Sequence, residues 1–146
     1  MIRIKYPEPE FRIKKTGGSV FIFDPVRRKW LLLTSEEWVR QNFVQYLIKT
    51  MEYPASLIAL EKKIRLGELT KRFDILVYDN AHQPWMMVEC KSGDVRLNED
   101  VLSQALRYNI SVPVPYLVIT NGDYCFAFSR KESRLEPLGK IPRFGE

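Results

Sequence analysis

Apolar and polar residues alternate along this chain with two different periods, which divide it into helices and strands. Apolar residues recur every three or four positions over 36–51 and again over 98–110, the spacing that gives a helix a buried stripe. Thr34 and Glu37 have the spacing of a capping box before the first helix, and Asn98 suits the N-cap of the second. Compact apolar runs predict strands at about 57–64, 72–78, 85–91, 116–120 and 124–128.

These elements predict an α/β core in the order α-β-β-β-α-β with a mixed sheet, followed by a further strand. Residues 11–33 are expected to form an N-terminal β-hairpin extension, because two aromatic and β-branched runs flank the turn signal Asp24-Pro25. The basic segment 140–146 lacks such a pattern and is expected to be frayed. We therefore predict a single domain over 1–146, consisting of the extension (1–33), the core (34–129) and a C-terminal tail (130–146).

The loop length of the central hairpin sets which side chains meet across it. With a four-residue turn, Asp79 pairs with Pro84 and, in the same register, Asp74 lies opposite Glu89. Lys91 shares a face with Glu89, because residues two apart on a strand point to the same side. Opposed carboxylates repel unless a cation lies between them, and Mg²⁺ or Mn²⁺ suits oxygen ligands. Such an ion, with a neighbouring lysine, could activate a water against a phosphodiester.

Glu-x-Lys is a common pattern, so its position matters more than its presence. A second copy at Glu61 and Lys63 is given no catalytic role. Glu89 and Lys91 differ because they end a buried apolar strand, where an ionisable pair costs free energy unless a partner compensates it. Cys90 points to the opposite face and is interpreted as a small buried hydrophobe.

Composition narrows the classes of function. The chain has 146 residues and a formal net charge of +5, which favours a polyanionic partner such as nucleic acid. One histidine and two cysteines exclude disulfide frameworks, the usual zinc sites and most triads that need histidine. No apolar run is long enough to span a bilayer and the N-terminus is not built like a signal peptide, so a cytoplasmic protein without a membrane partner is expected.

The hairpin motifs resemble those of a known nuclease superfamily. The segment 72–78, which contains Asp74, and the segment 88–92, which contains Glu89 and Lys91, look like the Asp and Glu-x-Lys motifs of the PD-(D/E)XK nucleases. That superfamily has a restriction-endonuclease-like core with the same α-β-β-β-α-β order.

The match extends beyond the two motifs. Three further segments, in the expected order, resemble the family named for the N-terminal nuclease domain of type I restriction enzyme R subunits: 34–41, 104–108 and 118–122. Phe73 stands where the superfamily often has proline. No helicase motor follows the core, so the chain is not expected to be a complete restriction subunit.

The resemblance implies a role for each matching residue. Glu37 matches an acid of the first helix that often completes the metal site, although its capping-box role explains it equally well. Gln104 and Tyr108 match an accessory Gln-x-x-x-Tyr motif and share one helix face, but surface polarity beside a core tyrosine is the alternative. The implied metal ligands are Asp74, Glu89 and Glu37, the catalytic residues Lys91, Asp74 and Glu89, and the accessory residues Gln104 and Tyr108.

DNA is the expected partner, held through its phosphates. No helix-turn-helix, zinc finger or other module for reading bases is present in the sequence. The basic residues expected near the site, which could contact phosphates as a patch, are Arg40, Lys71, Arg72, Arg96 and Arg107.

Two hypotheses of different classes remain open at this point. The first is a nuclease that depends on Mg²⁺ (or Mn²⁺) and hydrolyses DNA in restriction or repair, with a separate motor or specificity subunit as a partner. The second is a non-catalytic module of nuclease fold that binds DNA or a protein. Either could form a homo-oligomer through aromatic residues of the N-terminal hairpin, which are Phe11, Phe21, Phe23 and Trp30.

Overall fold

A mixed sheet lies at the centre of the molecule. The computed structural model describes residues 1–146 and contains the helices α1 (Ser35–Gln45) and α2 (Glu99–Asn109) and the strands β1 (Ile2–Arg3), β2 (Ile13–Thr16), β3 (Ser19–Asp24), β4 (Lys29–Leu32), β5 (Ile58–Leu66), β6 (Leu69–Tyr78), β7 (Pro84–Cys90), β8 (Tyr116–Thr120), β9 (Tyr124–Lys131) and β10 (Arg134–Leu138). The main sheet has the order β1-β9-β8-β7-β6-β5, with β10 also beside β9. Only β7 and β8 run parallel. The predicted α/β fold, with its mixed sheet and its α-β-β-β-α-β order, is confirmed.

The two helices cover opposite faces of this sheet. Successive residues of a strand point to opposite sides, and accordingly Val88 and Met87 belong to different buried clusters. Val39 and Phe43 of α1 pack in the cluster of Val88, whereas Ala105 of α2 packs in that of Met87. Each face of the central strands is therefore sealed by one helix.

Both helices begin where the sequence predicts. The Thr34 hydroxyl accepts a hydrogen bond from the Glu37 backbone N–H at 3.0 Å, and the Asn98 side chain accepts one from the Val101 N–H at 3.0 Å. The first helix continues past α1 as a π-helical segment, Tyr46–Thr50. No helix of the structure combines the length and the apolar character needed to cross a bilayer.

The central hairpin, β6–β7, has the predicted register along its middle but not at its turn. Ile75 pairs with Val88, as predicted. A bulge after Val77 then pairs Tyr78 with Pro84, so the predicted pairing of Asp79 with Pro84 is wrong. The reason is local, because the Asp79 carboxylate accepts backbone N–H groups within the turn and keeps its residue there.

The opposite end of this hairpin is a fork. The backbone ladder stops after Ile75, and the Asp74 carboxylate accepts the Cys90 backbone N–H at 2.8 Å instead. The strand β7 meanwhile stays paired with β8, where the Lys91 N–H donates to the Thr120 carbonyl at 2.7 Å. The fork therefore opens between β6 and β7 beside Asp74.

In the neighbouring hairpin, β5–β6, the buried side chains switch from one face of the sheet to the other at the same level. Leu60 and Ile75 pack in the cluster under α1, whereas Phe73 packs in the cluster under α2. Glu61 has a φ of 51°, in the left-handed region that non-glycine residues rarely adopt. The change of face therefore occurs at the level of Glu61 and Asp74.

The N-terminal extension is larger than the predicted hairpin. The strands β3 and β4 correspond to the prediction, and β2 adds a third strand, so that β2-β3-β4 form a small separate sheet. Residues Ile2 and Arg3 also join the main sheet by pairing with β9. The sequence around β1 does show a strand period, since Ile2, Ile4 and Tyr6 alternate with charged residues, whereas β2 contains a single apolar residue and shows none.

The prediction of a frayed C-terminal segment is wrong. Ile141 is only 4% exposed and belongs to the cluster under α1. The Tyr53 hydroxyl donates a hydrogen bond to the Pro142 carbonyl, and Phe144 packs edge-on against Trp85 with ring centroids 5.4 Å apart. Apolar contacts of Ile141 and Phe144 therefore anchor this segment, although it shows no helix or strand period.

Candidate active site

Three carboxylates lie side by side on three neighbouring strands at the fork. Glu61 of β5 is opposite Asp74 of β6, between the pairs that flank them in the register. Glu89 of β7 is the next residue opposite Asp74 beyond the end of the β6–β7 ladder. The row therefore places Asp74 between two other acids.

Glu36 of α1 approaches the same group of acids. One carboxylate oxygen from each of Glu36, Glu61 and Asp74 lies within 4.8 Å of the others. Burial raises the pKa of Asp74, and the nearby charges of Glu61 and Glu89 raise it further. Burial also raises the pKa of Glu36, with Asp74 as the next cause. These acids repel one another and favour a cation among them.

The Arg40 side chain supplies a positive charge within this cluster. Its Nη2 atom lies 2.5 Å from a Glu61 oxygen, 3.1 Å from Glu36 and 3.5 Å from Asp74. The Arg40 side chain is only 5% exposed. The structure therefore differs from the expectation that Arg40 contacts phosphates, since a buried guanidinium surrounded by carboxylates cannot reach them.

Glu37 does not face Asp74. Its carboxylate accepts hydrogen bonds from Arg27 Nη2 at 2.8 Å, Arg40 Nη1 at 2.7 Å and Gln41 Nε2 at 3.0 Å. The Thr34 hydroxyl thus caps α1 as the capping box predicts, whereas the Glu37 carboxylate binds Arg40 and fixes its position. Among the acids of α1, Glu36 is the one that lies beside Asp74, in the position predicted for Glu37.

The other side of the fork faces α2 and contains the predicted lysine. Lys91 Nζ lies 3.2 Å from Glu89 Oε2, and Asn109 Nδ2 donates to Glu89 Oε1 at 3.4 Å. Both Glu89 and Lys91 remain partly exposed. The pair is therefore oriented by α2 and is open to solvent on the side where a substrate could approach.

A small cavity lies at the fork between Asp74 and Glu89. Lys71, Asp74 and Glu89 line it together with Asn109, and its volume of about 20 Å³ is close to the space that one water molecule or one ion needs. Burial lowers the pKa of Lys71, although the charges of Glu89 and Asp74 oppose that shift. The cavity brings Lys71, which was predicted to bind phosphate, next to two of the three predicted metal ligands.

Gln104 and Tyr108 line a wider groove beside this cavity. The groove has a volume of about 410 Å³ and also includes Glu89 and Lys91 in its wall. Tyr108 is 70% exposed, so it is not a core tyrosine, and Lys71 Nζ lies 4.8 Å from its ring centroid. The accessory pair therefore shares an open surface with the Glu89 and Lys91 side chains.

Only some of the predicted phosphate-contacting residues lie at the fork. Arg72 lines the small cavity and its Nε atom is 2.7 Å from Glu61 Oε2. Arg96 lines a separate depression with Met1, and Arg107 lines another with Arg134. The predicted patch is thus divided among three places.

The sequence interpretation missed two acids of the cluster, Glu36 and Glu61. Glu61 had a usable signal, because Leu66 pairs with Leu69 across a tight turn and that register places Glu61 opposite Asp74. Glu36 had none, since its orientation depends on how α1 is rotated against the sheet.

The donor set at the fork fits a divalent cation. Glu36, Glu61, Asp74 and Glu89 offer only carboxylate oxygens, the ligands that hard cations prefer. The position of Arg40 Nη2 shows that a positive charge is held among three of them. An acidic site of this kind, with a lysine beside it, can hold a cation and position a water next to a phosphate.

Comparisons with known proteins identify the family of the chain. Residues 35–142 match the profile of the family described as type I restriction enzyme R protein N terminus. Among solved structures, a DUF820 protein from Anabaena variabilis, provisionally described as a nuclease, is 13% identical with a TM-score of 0.48, over 93% of this chain and 83% of that one. No curated protein matches the sequence significantly. Since the matched residues make up well over half of the chain, the protein belongs to the family of type I restriction enzyme R protein N-terminal domains.

Proposed function

We propose that this protein is an Mg²⁺- or Mn²⁺-dependent nuclease that hydrolyses DNA phosphodiester bonds in restriction or repair. The observation that carries the proposal is the cavity that Asp74 and Glu89 share at the fork, with Lys91 Nζ 3.2 Å from Glu89. Membership of a restriction-enzyme family supports a function of the nuclease type.

The proposed metal ligands are Asp74 and Glu89, with Glu36 or Glu61 completing the set from the α1 side. When bound, a divalent cation would neutralise charge on the phosphate and lower the pKa of a water. Asp74 is held ready for this role, because the Cys90 backbone N–H fixes its Oδ2 atom at 2.8 Å.

Lys91 is the proposed catalytic lysine. Its ammonium is oriented by Glu89 and is 37% exposed, so it can donate a hydrogen bond to an attacking water and align it with the phosphorus. The water oxygen forms a bond to phosphorus and releases a proton to solvent, the bond from phosphorus to one sugar oxygen breaks, and that oxygen takes up a proton from solvent. Lys71, in the same cavity, adds positive charge where the phosphate gains negative charge.

The partners proposed beyond DNA are a separate motor or specificity subunit and a second copy of the chain. A separate subunit is consistent with the lack of a base-reading module in the sequence. Gln104 and Tyr108 would contact the substrate or these partners in the groove beside Lys91.

Cleavage of plasmid and linear DNA with Mg²⁺ or Mn²⁺ tests the proposal. We expect the parent protein to cleave and Lys91→Ala to lose nearly all activity while keeping its DNA affinity within a few-fold, because one lysine is a small part of a phosphate-contacting surface. Lys63→Ala is the matched control, since Lys63 is the lysine of the other Glu-x-Lys pattern and is exposed. Equal cleavage by the parent and Lys91→Ala would refute the proposed role.

A second candidate function rests on Arg40. Its guanidinium lies within 3.5 Å of Glu36, Glu61 and Asp74, so a fixed positive charge stands where a catalytic cation would bind, as it could in a non-catalytic module of nuclease fold. Such a module would bind DNA, or a protein partner, without cleaving it. Binding by the parent protein with no cleavage under any metal condition would favour this candidate.

A further inference from the structure

The net positive charge of the chain is concentrated in its N-terminal sheet. Residues 11–33 contain six lysines and arginines and a single acid, a net charge of +5. The whole chain has 23 basic and 18 acidic residues, also a net charge of +5, so the other residues carry 17 of each sign. The sheet is therefore the part of the molecule that a polyanion would meet as unbalanced positive charge.

The only acid of this segment, Asp24, is withdrawn from the surface. It is fully buried and forms an ion pair with Arg27, while its carboxylate also accepts the Val26 N–H. The remaining five cations, which together we call the basic surface, are all exposed and none forms a salt bridge within the chain: Arg12, Lys14, Lys15, Arg28 and Lys29. Lys14 and Lys15 are successive residues of β2, so the basic surface extends over both faces of the small sheet.

Aromatic rings of the sheet hold two of these cations in place. The Arg12 guanidinium lies 4.9 Å from the Phe23 ring centroid, and Lys14 Nζ lies 4.3 Å from that of Trp30. Phe23 and Trp30 in turn pack edge-on across β3 and β4. Because cations cover these rings, this part of the sheet offers positive charge rather than an apolar face for a second copy or for stacked bases.

The basic surface is fixed next to the candidate active site. Arg27, in the turn between β3 and β4, donates to Glu37, and Glu37 accepts from Arg40. Phe11, just before β2, packs against Trp38 of α1 with ring centroids 5.5 Å apart. These contacts attach the sheet to the same turn of α1 that brings Glu36 to the acid cluster.

We propose that the basic surface binds the phosphate backbone of duplex DNA as an anchor on the α1 side of the molecule, apart from the groove that contains Lys91. The inference deepens the proposed function and rests on it for the identity of the polyanion. Exposed and unpaired lysines and arginines bind duplex phosphates by releasing condensed counterions, without reading the base sequence. The basic surface lies outside residues 35–142, so it is an addition to the part of the chain that matches the family.

Binding of a fluorescent DNA duplex in EDTA, over a range of salt concentrations, tests this inference without any cleavage. The test variant changes Lys14, Lys15 and Lys29 to Gln. The control changes Lys63, Lys131 and Lys140 to Gln, three exposed lysines outside the N-terminal sheet that form no salt bridge, so both variants lose three unpaired positive charges. We expect the test variant to lower the slope of log affinity against log salt by at most about 2.7, since each phosphate contact that is lost contributes about 0.9.

The control variant should keep nearly the parent slope, and Lys→Arg changes at the three test positions should restore binding. Equal losses in both variants would mean that only net charge matters and would overturn the proposal. Binding to anionic vesicles but not to the duplex would overturn it as well. Failure of the proposed function would look different, because a protein that cannot cleave DNA would still bind the duplex through this surface.

Discussion

At the scale of single residues, Arg40 connects acids from three elements. It contacts Glu36 and Glu37 of α1, Glu61 of β5 and Asp74 of β6. Burial disfavours its charge, yet the carboxylates of Glu37 and Glu61 raise its pKa above that of an ordinary arginine. A buried charge that loses its partner costs far more free energy than an exposed one, because water cannot replace the partner.

Replacing Arg40 with Gln should therefore destabilise the protein by about 3–5 kcal/mol, since the buried Glu37 and its neighbours would lose their counter-charge. The free energy of unfolding, measured by urea denaturation, gives this value. Arg72→Gln is the matched control, because Arg72 also binds Glu61 but its side chain is 67% exposed. That change should cost at most about 1 kcal/mol. Similar losses in the two variants would contradict the central role of Arg40.

At the scale of elements, the sequence was informative where a period extends over several residues. α1, α2 and the hairpins β6–β7 and β8–β9 follow from such runs and from good caps. The strand β2 could not be found this way, because all four of its residues are exposed and no apolar alternation exists. It forms through pairing with β3, which is a tertiary effect.

The C-terminal segment allows a test at this scale. Ile141→Ala should destabilise the protein by about 2–4 kcal/mol, because the side chain is buried in the main cluster. Ile13→Ala, the same chemical change at a side chain that is 48% exposed, should cost no more than about 0.5 kcal/mol. Urea denaturation of both variants measures the difference. If the segment were frayed, Ile141→Ala would behave like Ile13→Ala.

At the scale of the whole molecule, the candidate site combines parts that the sequence could place with parts that it could not. The opposition of Asp74 and Glu89 was predicted from loop length, but the turn pairs Tyr78 with Pro84, and a bulge between Val77 and Tyr78 restores the predicted register. The choice between Glu36 and Glu37 does not follow from any pattern. It depends on Arg27, from a turn of the N-terminal sheet, which binds Glu37 and fixes its direction.

The acid cluster also makes the stability of the whole protein depend on pH. Burial, reinforced by neighbouring carboxylates, raises the pKa of Asp74 above 3.8 and that of Glu36 above 4.5. An acid whose pKa is higher in the folded state keeps its proton longer there than in the unfolded chain. The contribution of these two groups to the free energy of unfolding therefore falls as the pH rises from the pKa that each group has in the unfolded chain to its raised pKa in the folded protein.

A divalent cation bound by the same carboxylates would compete with those protons. We therefore expect Mn²⁺ to raise the melting temperature more at about pH 8 than at about pH 5, where the acids are closer to protonation. Asp74→Asn should reduce this gain, whereas Asp123→Asn, at an exposed position outside the cluster, should leave it unchanged. Thermal denaturation with MnCl₂, against NaCl of equal ionic strength, separates specific binding from screening. A gain that is the same at both pH values, or the same in Asp74→Asn as in the parent, would mean that the cation binds elsewhere.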